Sequence, residues 1–217
     1  MSNNAESVLR AGLAELHLSL SNAQVQGLLD YQNLIGKWNK VYNLTAVRDP
    51  AEMLTHHLLD SLAAVAPLQK HLQNRSLTNA RVLDVGAGAG LPGVVLAICC
   101  PTLAVTCVDT VGKKAAFIKH VALALGLPNL MGLHARVETI TQPFDVICSR
   151  AFASLADFTG WSQAALAPGG VWMALKGKHP TDELAVLPPG VAVFHVEPLV
   201  VPGLAAERCI IWLQKAG

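Results

Sequence analysis

The stretch VLDVGAGAGLPG, residues 82–93, determines how the rest of the sequence is interpreted. It begins as a short apolar run, continues as a loop with glycine at positions 86, 88 and 90, and ends in an apolar stretch typical of a helix. Glycine lets the backbone turn tightly and lets a ligand approach where a Cβ atom would collide. Alternating glycines add no packing and cost chain entropy, so a binding role explains them better than an unliganded turn. The stretch therefore predicts a strand, a ligand-binding loop and a helix.

On the C-terminal side of this loop, apolar runs that favour strands alternate with helical stretches. Strands are predicted at residues 81–85, 103–109, 130–134, 144–149, 171–176, 191–198 and 208–214. Helices are predicted at residues 92–100, 113–125 and 155–166. This alternation indicates an α/β fold with a mostly parallel, seven-stranded sheet that is covered on both faces. A loop containing proline and glycine joins the last two strands, which predicts an antiparallel hairpin at the sheet edge.

On the N-terminal side, apolar residues recur at three- and four-residue spacing, which predicts helices. Ser21 and Gln24 have the spacing of a capping box, and Asp49 followed by Pro50 marks a second helix start. The helix after Pro50 is expected to continue to about Leu68. Residues 73–80 are polar and form the best boundary. The predicted organisation is an N-terminal helical segment, residues 1–72, that packs on a sheet domain, residues 73–217.

The composition is that of a core-forming globular protein. Of the 217 residues, 52% are hydrophobic and 14% are charged, which excludes a disordered chain. There is no signal-peptide pattern and no apolar run long enough to cross a bilayer, so we expect a cytoplasmic monomer without a membrane partner. The net charge of +1 neither requires nor excludes a nucleic-acid partner. The five cysteines lack metal-ligand spacing, so we expect buried, reduced thiols and no metal.

Two aspartates near the glycine loop narrow the choice of ligand. Asp109 ends the next predicted strand, where a carboxylate can accept hydrogen bonds from the hydroxyl groups of a ribose. Dinucleotide sites favour G-x-G-x-x-G, but Leu91 occupies the third glycine position. The spacing here is D-x-G-x-G-x-G with Asp84 as its first residue, and it resembles the nucleotide-binding loop of class I methyltransferases. In that class the ligand carries a cationic sulfonium, which a nearby carboxylate such as Asp84 would favour.

Four longer segments make the resemblance more specific. They are KWNKVYNLTAVRDPAEMLTHHLLDS (residues 37–61), DVGAGAGLPG (84–93), FDVICSRAFASL (144–155) and ALKG (174–177). In this order they resemble the bacterial RsmG/GidB family over residues 28–214. The resemblance implies a Rossmann-like class I fold and an S-adenosyl-L-methionine-dependent enzyme that methylates N7 of a guanine in small-subunit (16S) ribosomal RNA. Ala89 departs from the family, many members of which carry proline there, and this is expected only to loosen the loop slightly.

The candidate cofactor-binding residues come from both lines of reasoning. The resemblance implies contacts from Gly86, Leu91, Val137, Glu138 and Arg150. The loop pattern and the ribose argument add four residues: Asp84, Gly88, Gly90 and Asp109.

The predicted chemistry requires few acid–base groups. Guanine N7 has an in-plane lone pair and needs no deprotonation, so alignment of the reacting atoms can supply most of the catalysis. Enzymes that methylate exocyclic amines often carry a D/N-P-P-Y/F motif after the fourth strand, whereas this chain has Ser149, Arg150, Ala151 and Phe152. We therefore expect no general base. Arg150, at the end of a strand, is the candidate catalytic residue, and a rim ion pair is its alternative role.

Basic residues near the predicted cavity are candidates for RNA binding. The expected partner is small-subunit ribosomal RNA or the assembled small subunit. The candidate residues are Lys37, Lys40, Arg48, His57, Lys176 and Lys178. Trp38 and Tyr42 are interleaved with some of them and could stack on a base. The alternative is a solvated face with buried aromatic residues, and His57 could simply pair with Asp60 along one helix.

Three other functions remain open at this point. A methyltransferase acting on another RNA or on a small molecule would have the same loop. An NAD-dependent dehydrogenase would share the sheet, although Leu91 disfavours it. A noncatalytic RNA-binding module would retain the fold without needing intact loop glycines and Asp109.

Overall fold

The computed structural model describes residues 2–217. Seven strands form one sheet: β1 Arg81–Val85, β2 Ala104–Asp109, β3 Leu130–His134, β4 Phe144–Arg150, β5 Leu166–Lys176, β6 Val191–Leu199 and β7 Arg208–Lys215. Their order across the sheet is β3-β2-β1-β4-β5-β7-β6. The five strands from β3 to β5 run parallel, and β7 is antiparallel to both β5 and β6. The predicted α/β class, the mostly parallel seven-stranded sheet and the antiparallel edge are confirmed.

The helices lie in an N-terminal group and between the strands. They are α1 Ser2–Glu15, α2 Asn22–Tyr42, α3 Pro50–Met53, α4 Asp60–Leu62, α5 Val65–Asn74, α6 Gly93–Cys99, α7 Gly112–Ala124, α8 Leu155–Ser162 and α9 Thr181–Ala185. A π-helical turn, Leu54–Leu59, joins α3 to α4, and short 3₁₀ turns follow at Val137–Thr139 and Gln163–Ala165. No helix within residues 2–217 is both long and apolar enough to span a membrane.

Local sequence signals explain where the N-terminal helices begin. The Ser21 hydroxyl accepts a hydrogen bond from the Gln24 amide, and the Gln24 side chain accepts one from the Ser21 amide, which completes the predicted capping box. The Asp49 carboxylate accepts hydrogen bonds from the amides of Ala51 and Glu52, as predicted for a helix that starts at Pro50. These caps pair amides that have no partner within the helix itself.

The prediction of one helix from Pro50 to about Leu68 was wrong. The helix changes to a π turn at Leu54, ends at Leu62, and a new helix covers Val65–Asn74. Helix α5 therefore crosses the boundary that the polar composition placed after residue 72. The end of the predicted helix 155–166 is also different, because β5 already begins at Leu166. Helix α9 was not predicted, since five residues are too few to show a helical period.

The sheet separates two apolar layers. Val82 and Cys107 point towards α2, α6 and α7, whereas Leu83 and Val108 pack with Phe158 of α8 on the other face. This alternation follows from the two-residue period of a strand. Because both faces are covered, four of the five residues of β1 are buried.

The N-terminal helices are attached to the sheet by directed hydrogen bonds as well as by apolar packing. The Gln24 amide group donates to the carbonyl oxygens of Ile98 and Cys99 at 3.0 and 3.1 Å. The fully buried Tyr31 hydroxyl donates to the Ala89 carbonyl at 2.7 Å. Helix α2 is therefore fixed to α6 and to the glycine loop itself.

Gly132 of β3 tests how closely α7 packs on the sheet. A Cβ atom at this position would lie 2.7 Å from the Ala115 carbonyl oxygen and 3.1 Å from the Lys119 amide nitrogen. We expect Gly132→Ala to lower the free energy of unfolding by about 1–3 kcal/mol, because backbone atoms would have to move apart. Urea unfolding followed by circular dichroism measures the change.

Gly36 of α2 provides the matched control, since a Cβ atom there would have no neighbour within 4 Å. Gly36→Ala is expected to raise the free energy of unfolding by up to about 1 kcal/mol through helix propensity. Equal stability of the two variants would contradict the close approach of β3 and α7.

Candidate active site

Two adjoining cavities lie at the carboxyl ends of the parallel strands. The first, of about 520 Å³, is bounded by the glycine loop, by His56 to Asp60 of the N-terminal helices, and by the start of β7. The second, of about 420 Å³, is bounded by the end of β2, the 3₁₀ turn Val137–Thr139 and the segment after β4. Gly86, Lys114 and Ala151 line both cavities. One elongated ligand that passes Gly86 could therefore contact both.

The glycine loop needs glycine for conformational and steric reasons. Gly86, Gly88 and Gly90 have φ angles of 65°, 59° and 92°, in the left-handed region where residues with a Cβ atom are strained. A Cβ atom on Gly86 would also lie 2.1 Å from the ring of Phe152. Gly86 and Gly88 line the first cavity together with Leu91, whereas Gly90 packs inward against Val94 and Tyr31.

Asp109 holds the loop in place from the neighbouring strand. Its two carboxylate oxygens accept hydrogen bonds from the amides of Gly88, at 3.0 Å, and Val111, at 2.8 Å. Its side chain lines the second cavity, and Lys114 lies 3.9 Å away. Each carboxylate oxygen has two lone pairs, so Asp109 can still accept hydrogen bonds from a ligand. Asp109 thus lies at the end of β2 beside the glycine loop, and its contact with a ribose stays a prediction.

Asp84 does not have the position that the sequence predicted. Its side chain is fully buried, and one oxygen accepts a hydrogen bond from the Gly93 amide at 2.8 Å, at the start of α6. It lines neither cavity. The two-residue period of β1 explains this, because Asp84 points to the same face as Val82, towards α6. Asp84 therefore stabilises the start of α6, directly after the glycine loop, and does not face the cavity.

Aromatic and apolar side chains form the wall of the second cavity. Val137 is buried and Glu138 is exposed, and both line this cavity, while their contact with a cofactor stays a prediction. Phe152 and Trp161 also line it, with ring centroids 5.8 Å apart in an edge-to-face arrangement. Neither ring was predicted as a site residue. Phe152 closely follows the end of β4, and this position indicated that it could lie at the site. Trp161 lies inside α8, and no sequence pattern indicated a role for it.

Arg150 lines the first cavity and binds Asp60, which the sequence indicated only as a possible partner of His57. One nitrogen, Nη1, donates to an Asp60 oxygen at 2.5 Å and to the His56 carbonyl at 2.9 Å. The other Asp60 oxygen accepts a hydrogen bond from Nε of Arg208 at 2.7 Å. The suggested His57–Asp60 pair was wrong, because Asp60 binds these arginines and His57 Nε2 lies 2.8 Å from the Thr45 hydroxyl. Arg208, absent from the predicted site, lines the same cavity.

The six candidate RNA-binding residues are not brought together. His57 and Lys176 line the first cavity, and Lys178 lies in the exposed loop after β5. Lys37 and Lys40 are on the exposed face of α2, and Arg48 is in the exposed loop before α3; none of the three lines either cavity.

Two of these residues are poorly placed to act as free cations. Burial lowers the pKa of His57 below its ordinary value of 6.5, so its imidazole is neutral at pH 7. Lys176 is bound by both oxygens of Glu183, at 2.9 and 2.8 Å. The suggested stacking of a base on Trp38 is also not supported, because Trp38 packs against Phe117 with ring centroids 5.3 Å apart.

Clusters of metal-ligating side chains and the surroundings of the cysteines are described for residues 2–217. No three histidine, cysteine or acidic side chains among residues 2–217 are grouped so that they could hold a metal ion. All five cysteines are free and buried, and burial raises the pKa of each thiol. A raised thiol pKa disfavours the reactive thiolate.

Comparison with known protein families gives one description for nearly the whole chain. The family model for "rRNA small subunit methyltransferase G", GidB, matches residues 24–211. A protein named ribosomal RNA small subunit methyltransferase G from Polaromonas sp. strain JS666 is 73% identical over 210 residues, which are 96% of this chain and 93% of that protein. The protein of the same name from Polaromonas naphthalenivorans strain CJ2 is 70% identical over 212 residues, covering 97% of this chain and 96% of that protein.

Several solved structures with a similar fold are named as methyltransferases. TrmN from Thermus thermophilus has a TM-score of 0.55 at 23% identity, covering 75% of this chain and 53% of that one. A SAM-dependent methyltransferase from Aquifex aeolicus has a TM-score of 0.53 at 19% identity, covering 76% and 98%. Coclaurine N-methyltransferase, solved with N-methylheliamine and SAH, has a TM-score of 0.55 at 12% identity, covering 91% and 73%. At these identities the likeness shows a shared fold.

The buried Asp84 carboxyl predicts a pH-dependent contribution to stability. Burial raises its pKa from 3.8 to about 7, although the Gly93 amide opposes the shift. The folded protein therefore binds this proton more tightly than the unfolded chain. The contribution of Asp84 to stability is fully present below about pH 4 and is lost as the pH rises to about 7, by about 1.4 kcal/mol per unit of pKa shift.

Urea unfolding at several pH values tests this against Asp84→Asn, which cannot titrate. We expect the free energy of unfolding of the wild type, minus that of Asp84→Asn, to fall between about pH 4 and 7 and to be constant above. Asp30→Asn, on the surface of α2, is the control and should show no such trend. A difference that stays constant across this range would mean that Asp84 is ionised in the folded protein throughout.

Proposed function

Because the chain belongs to the rRNA small subunit methyltransferase G family, we propose that it transfers a methyl group from S-adenosyl-L-methionine to N7 of a specific guanine in small-subunit (16S) ribosomal RNA. Activity as an rRNA methyltransferase follows from the family. The identity of the cofactor, of the target base and of the methylated atom goes beyond the family description and belongs to the proposal. The observation that carries them is the junction of two cavities at Gly86, one suited to a nucleoside and the other open towards basic side chains.

The residues of the second cavity fit the adenosine part of the cofactor. Asp109 would hold the ribose hydroxyls while its hydrogen bonds to the loop amides keep its carboxylate in place. Val137, Phe152 and Trp161 offer apolar and aromatic surfaces for a flat base. Gly86 lines both cavities with its backbone, since the ring of Phe152 lies where a Cβ atom would be, and this suits close approach of a ligand to the backbone. Glu138 lies at the exposed rim of the same cavity.

The first cavity would hold the rest of the cofactor and the target guanine. Gly86, Gly88 and Leu91 line its loop side, and Arg150 lies at the end of the neighbouring strand β4. The cavity is also lined by Leu44, Leu175 and Leu199, whose apolar side chains are suited to the faces of a flipped base. Gly90 and Asp84 line neither cavity, so they would act on cofactor binding only through the shape of the loop.

The chemistry that the chain itself must supply is mainly positioning. The bound cofactor supplies an electrophilic methyl group on its sulfonium. Guanine N7 needs no proton removed, so the protein must align the base with the methyl group and exclude water. Tight attachment of the loop by Asp109 and Tyr31 suits this task, because small displacements of reacting groups slow such reactions.

The two parts of the chain have different roles in this proposal. Residues 73–217 hold the cofactor, and the helical segment, residues 1–72, forms one wall of the first cavity and helps to dock the RNA. Lys37, Lys40, Arg48 and Lys178 are exposed and would act, if they bind RNA, as phosphate contacts outside the cavities. We propose that the acting species is a monomer and that its partner is ribosomal RNA or the small subunit.

The function is tested with purified protein, methyl-labelled S-adenosyl-L-methionine and small subunits or their RNA from cells that lack the enzyme. We expect label in one guanine, in a form whose positively charged ring makes the RNA cleavable by borohydride and aniline. RNA from cells that contain the enzyme is the control and should accept little label. Label found only in protein or small metabolites would contradict the RNA substrate, and label on an exocyclic amine would contradict N7.

Cofactor binding is tested at Asp109. We expect Asp109→Asn to weaken binding of S-adenosylhomocysteine at least about tenfold, or 1.4 kcal/mol, because a charged acceptor for ribose and loop amides is lost. Isothermal titration calorimetry measures the affinity. Asp145→Asn is the matched control, since Asp145 binds the Arg81 amide at the opposite end of β1 and should leave the affinity unchanged.

Calorimetry with NAD completes the comparison. Binding of NAD by the wild type, without binding of S-adenosylhomocysteine, would favour a dehydrogenase over a methyltransferase. Unchanged affinity of Asp109→Asn for S-adenosylhomocysteine would remove Asp109 from the site.

A further inference from the structure

Asp60 connects three parts of the chain that are far apart in sequence. Its carboxylate binds Arg150, 90 residues later at the end of β4, and Arg208, 148 residues later at the start of β7. The exposed fractions of the three side chains are 6% for Asp60, 18% for Arg150 and 25% for Arg208. One nearly buried carboxylate therefore orients two guanidinium groups that both line the first cavity.

The two arginines retain unused hydrogen-bond donors. A guanidinium group has five N–H donors and stays charged. Arg150 directs two of them at Asp60 and the His56 carbonyl. Arg208 directs two at Asp60 and the Glu207 carbonyl. Each arginine is left with three N–H groups that bind nothing among residues 2–217, and these remain available to a ligand.

The charge in the cavity also favours an anionic ligand. Lys176 is paired with Glu183, Lys114 lies near Asp109, and burial keeps His57 neutral. Asp60 balances only one of its two arginines. A positive charge on the wall of a half-buried cavity is unfavourable unless solvent or a ligand satisfies it. The cavity therefore has one uncompensated positive charge, shared by Arg150 and Arg208.

The strand order places the two arginines at different distances from the glycine loop. Arg150 ends β4, which is next to β1 and so next to the glycine loop. Arg208 begins β7, three strands away from β1, or about 14 Å at about 4.8 Å per strand. Arg150 is therefore beside the glycine loop, where the proposed cofactor lies, and Arg208 is on the side of the cavity away from that loop. Arg208 is also the more exposed of the two.

We propose that Arg208 binds a backbone phosphate of the target RNA and that Asp60 is the positioning residue that holds Arg208 beside Arg150. This inference rests on the proposed function. Asp60 acts through the arginines and not on the substrate itself, because its side chain is only 6% exposed and its carboxylate faces the two guanidinium groups. Its role is to fix the distance between the cofactor side and the RNA side of the cavity.

A phosphate contact has a measurable signature in the effect of salt. Each phosphate that a protein neutralises releases a counterion, so loss of one contact lowers the slope of log affinity against log salt by about 0.7–0.9. A residue with a purely structural role would leave this slope unchanged. Binding of a small-subunit RNA fragment, measured by fluorescence anisotropy at several salt concentrations, provides the slope.

The variants are Arg208→Gln, Arg208→Lys and Asp60→Asn, with Lys215→Gln as the control. Lys215 is exposed at the opposite end of β7, so its variant has the same change of charge away from the cavity. We expect Arg208→Gln to weaken RNA binding about tenfold, which is about 1.4 kcal/mol, to lower the salt slope and to leave S-adenosylhomocysteine binding unchanged. Arg208→Lys should keep the slope, because the charge is retained. Asp60→Asn should weaken binding of both RNA and S-adenosylhomocysteine.

Each outcome decides the inference. An unchanged salt slope for Arg208→Gln, or equal slopes for Arg208→Gln and Lys215→Gln, would overturn it. Weaker binding of S-adenosylhomocysteine by Arg208→Gln would assign this arginine to the cofactor and would also overturn it. If Asp60→Asn does not fold, the two Arg208 variants still decide the phosphate contact, and Asp60→Glu tests the positioning role by partial recovery.

The same experiment separates this inference from the proposed function. The slope is a property of RNA binding and does not require methyl transfer. A wild type that binds the RNA with the expected slope but does not methylate it would contradict the proposed function alone. A wild type that methylates the RNA, together with an Arg208→Gln variant of normal slope, would contradict the inference alone.

Discussion

The position of the glycine loop depends on the hydrogen bonds that join it to the end of strand β2. The Val108 carbonyl accepts from the amides of Gly86 and Ala87, and the Asp109 carboxylate accepts from the Gly88 amide. These bonds set the loop between the two cavities, since Gly86 lines both. They form only if β1 and β2 are parallel neighbours in register. The pairing of two buried strands thus determines the geometry of the whole site.

The N-terminal helices belong to the site as much as the sheet does. Tyr31 of α2 binds the Ala89 carbonyl inside the loop, and Asp60 of α4 binds the arginines at the ends of β4 and β7. The Tyr31 hydrogen bond restrains the glycine loop. The Asp60 ion pairs join the helices to the strand ends that line the first cavity. The boundary after residue 72 therefore marks a change in sequence composition, but residues on both sides of it build the candidate site.

The sequence was sufficient for those features that depend on local pattern. The antiparallel hairpin at the sheet edge, the caps at Ser21 and Asp49 and the place of Asp109 at a strand end follow from spacing, turn residues and periodicity. The direction of Asp84 follows from the two-residue period of β1, whereas its closeness to the glycines in sequence indicated the wrong side. The pair Asp60–Arg208 was not predictable, because 148 residues separate them and no local pattern records which side chains meet. The pairing of Glu183 with Lys176, seven residues apart, was not predicted either, because Glu183 lies in α9, which is too short to show a helical period.

The strand order has a consequence for the order in which the site can be completed during synthesis. Strand β6 precedes β7 in the chain, yet β7 lies between β5 and β6 and is the only strand that β6 pairs with in residues 2–217. While the chain emerges from the ribosome, β6 has no place on the sheet until β7 has followed it. Arg208 begins β7, so Asp60 is exposed earlier with only Arg150 to bind. The methyltransferase therefore gains its full cavity in the last step of its own assembly, when the final hairpin joins the sheet.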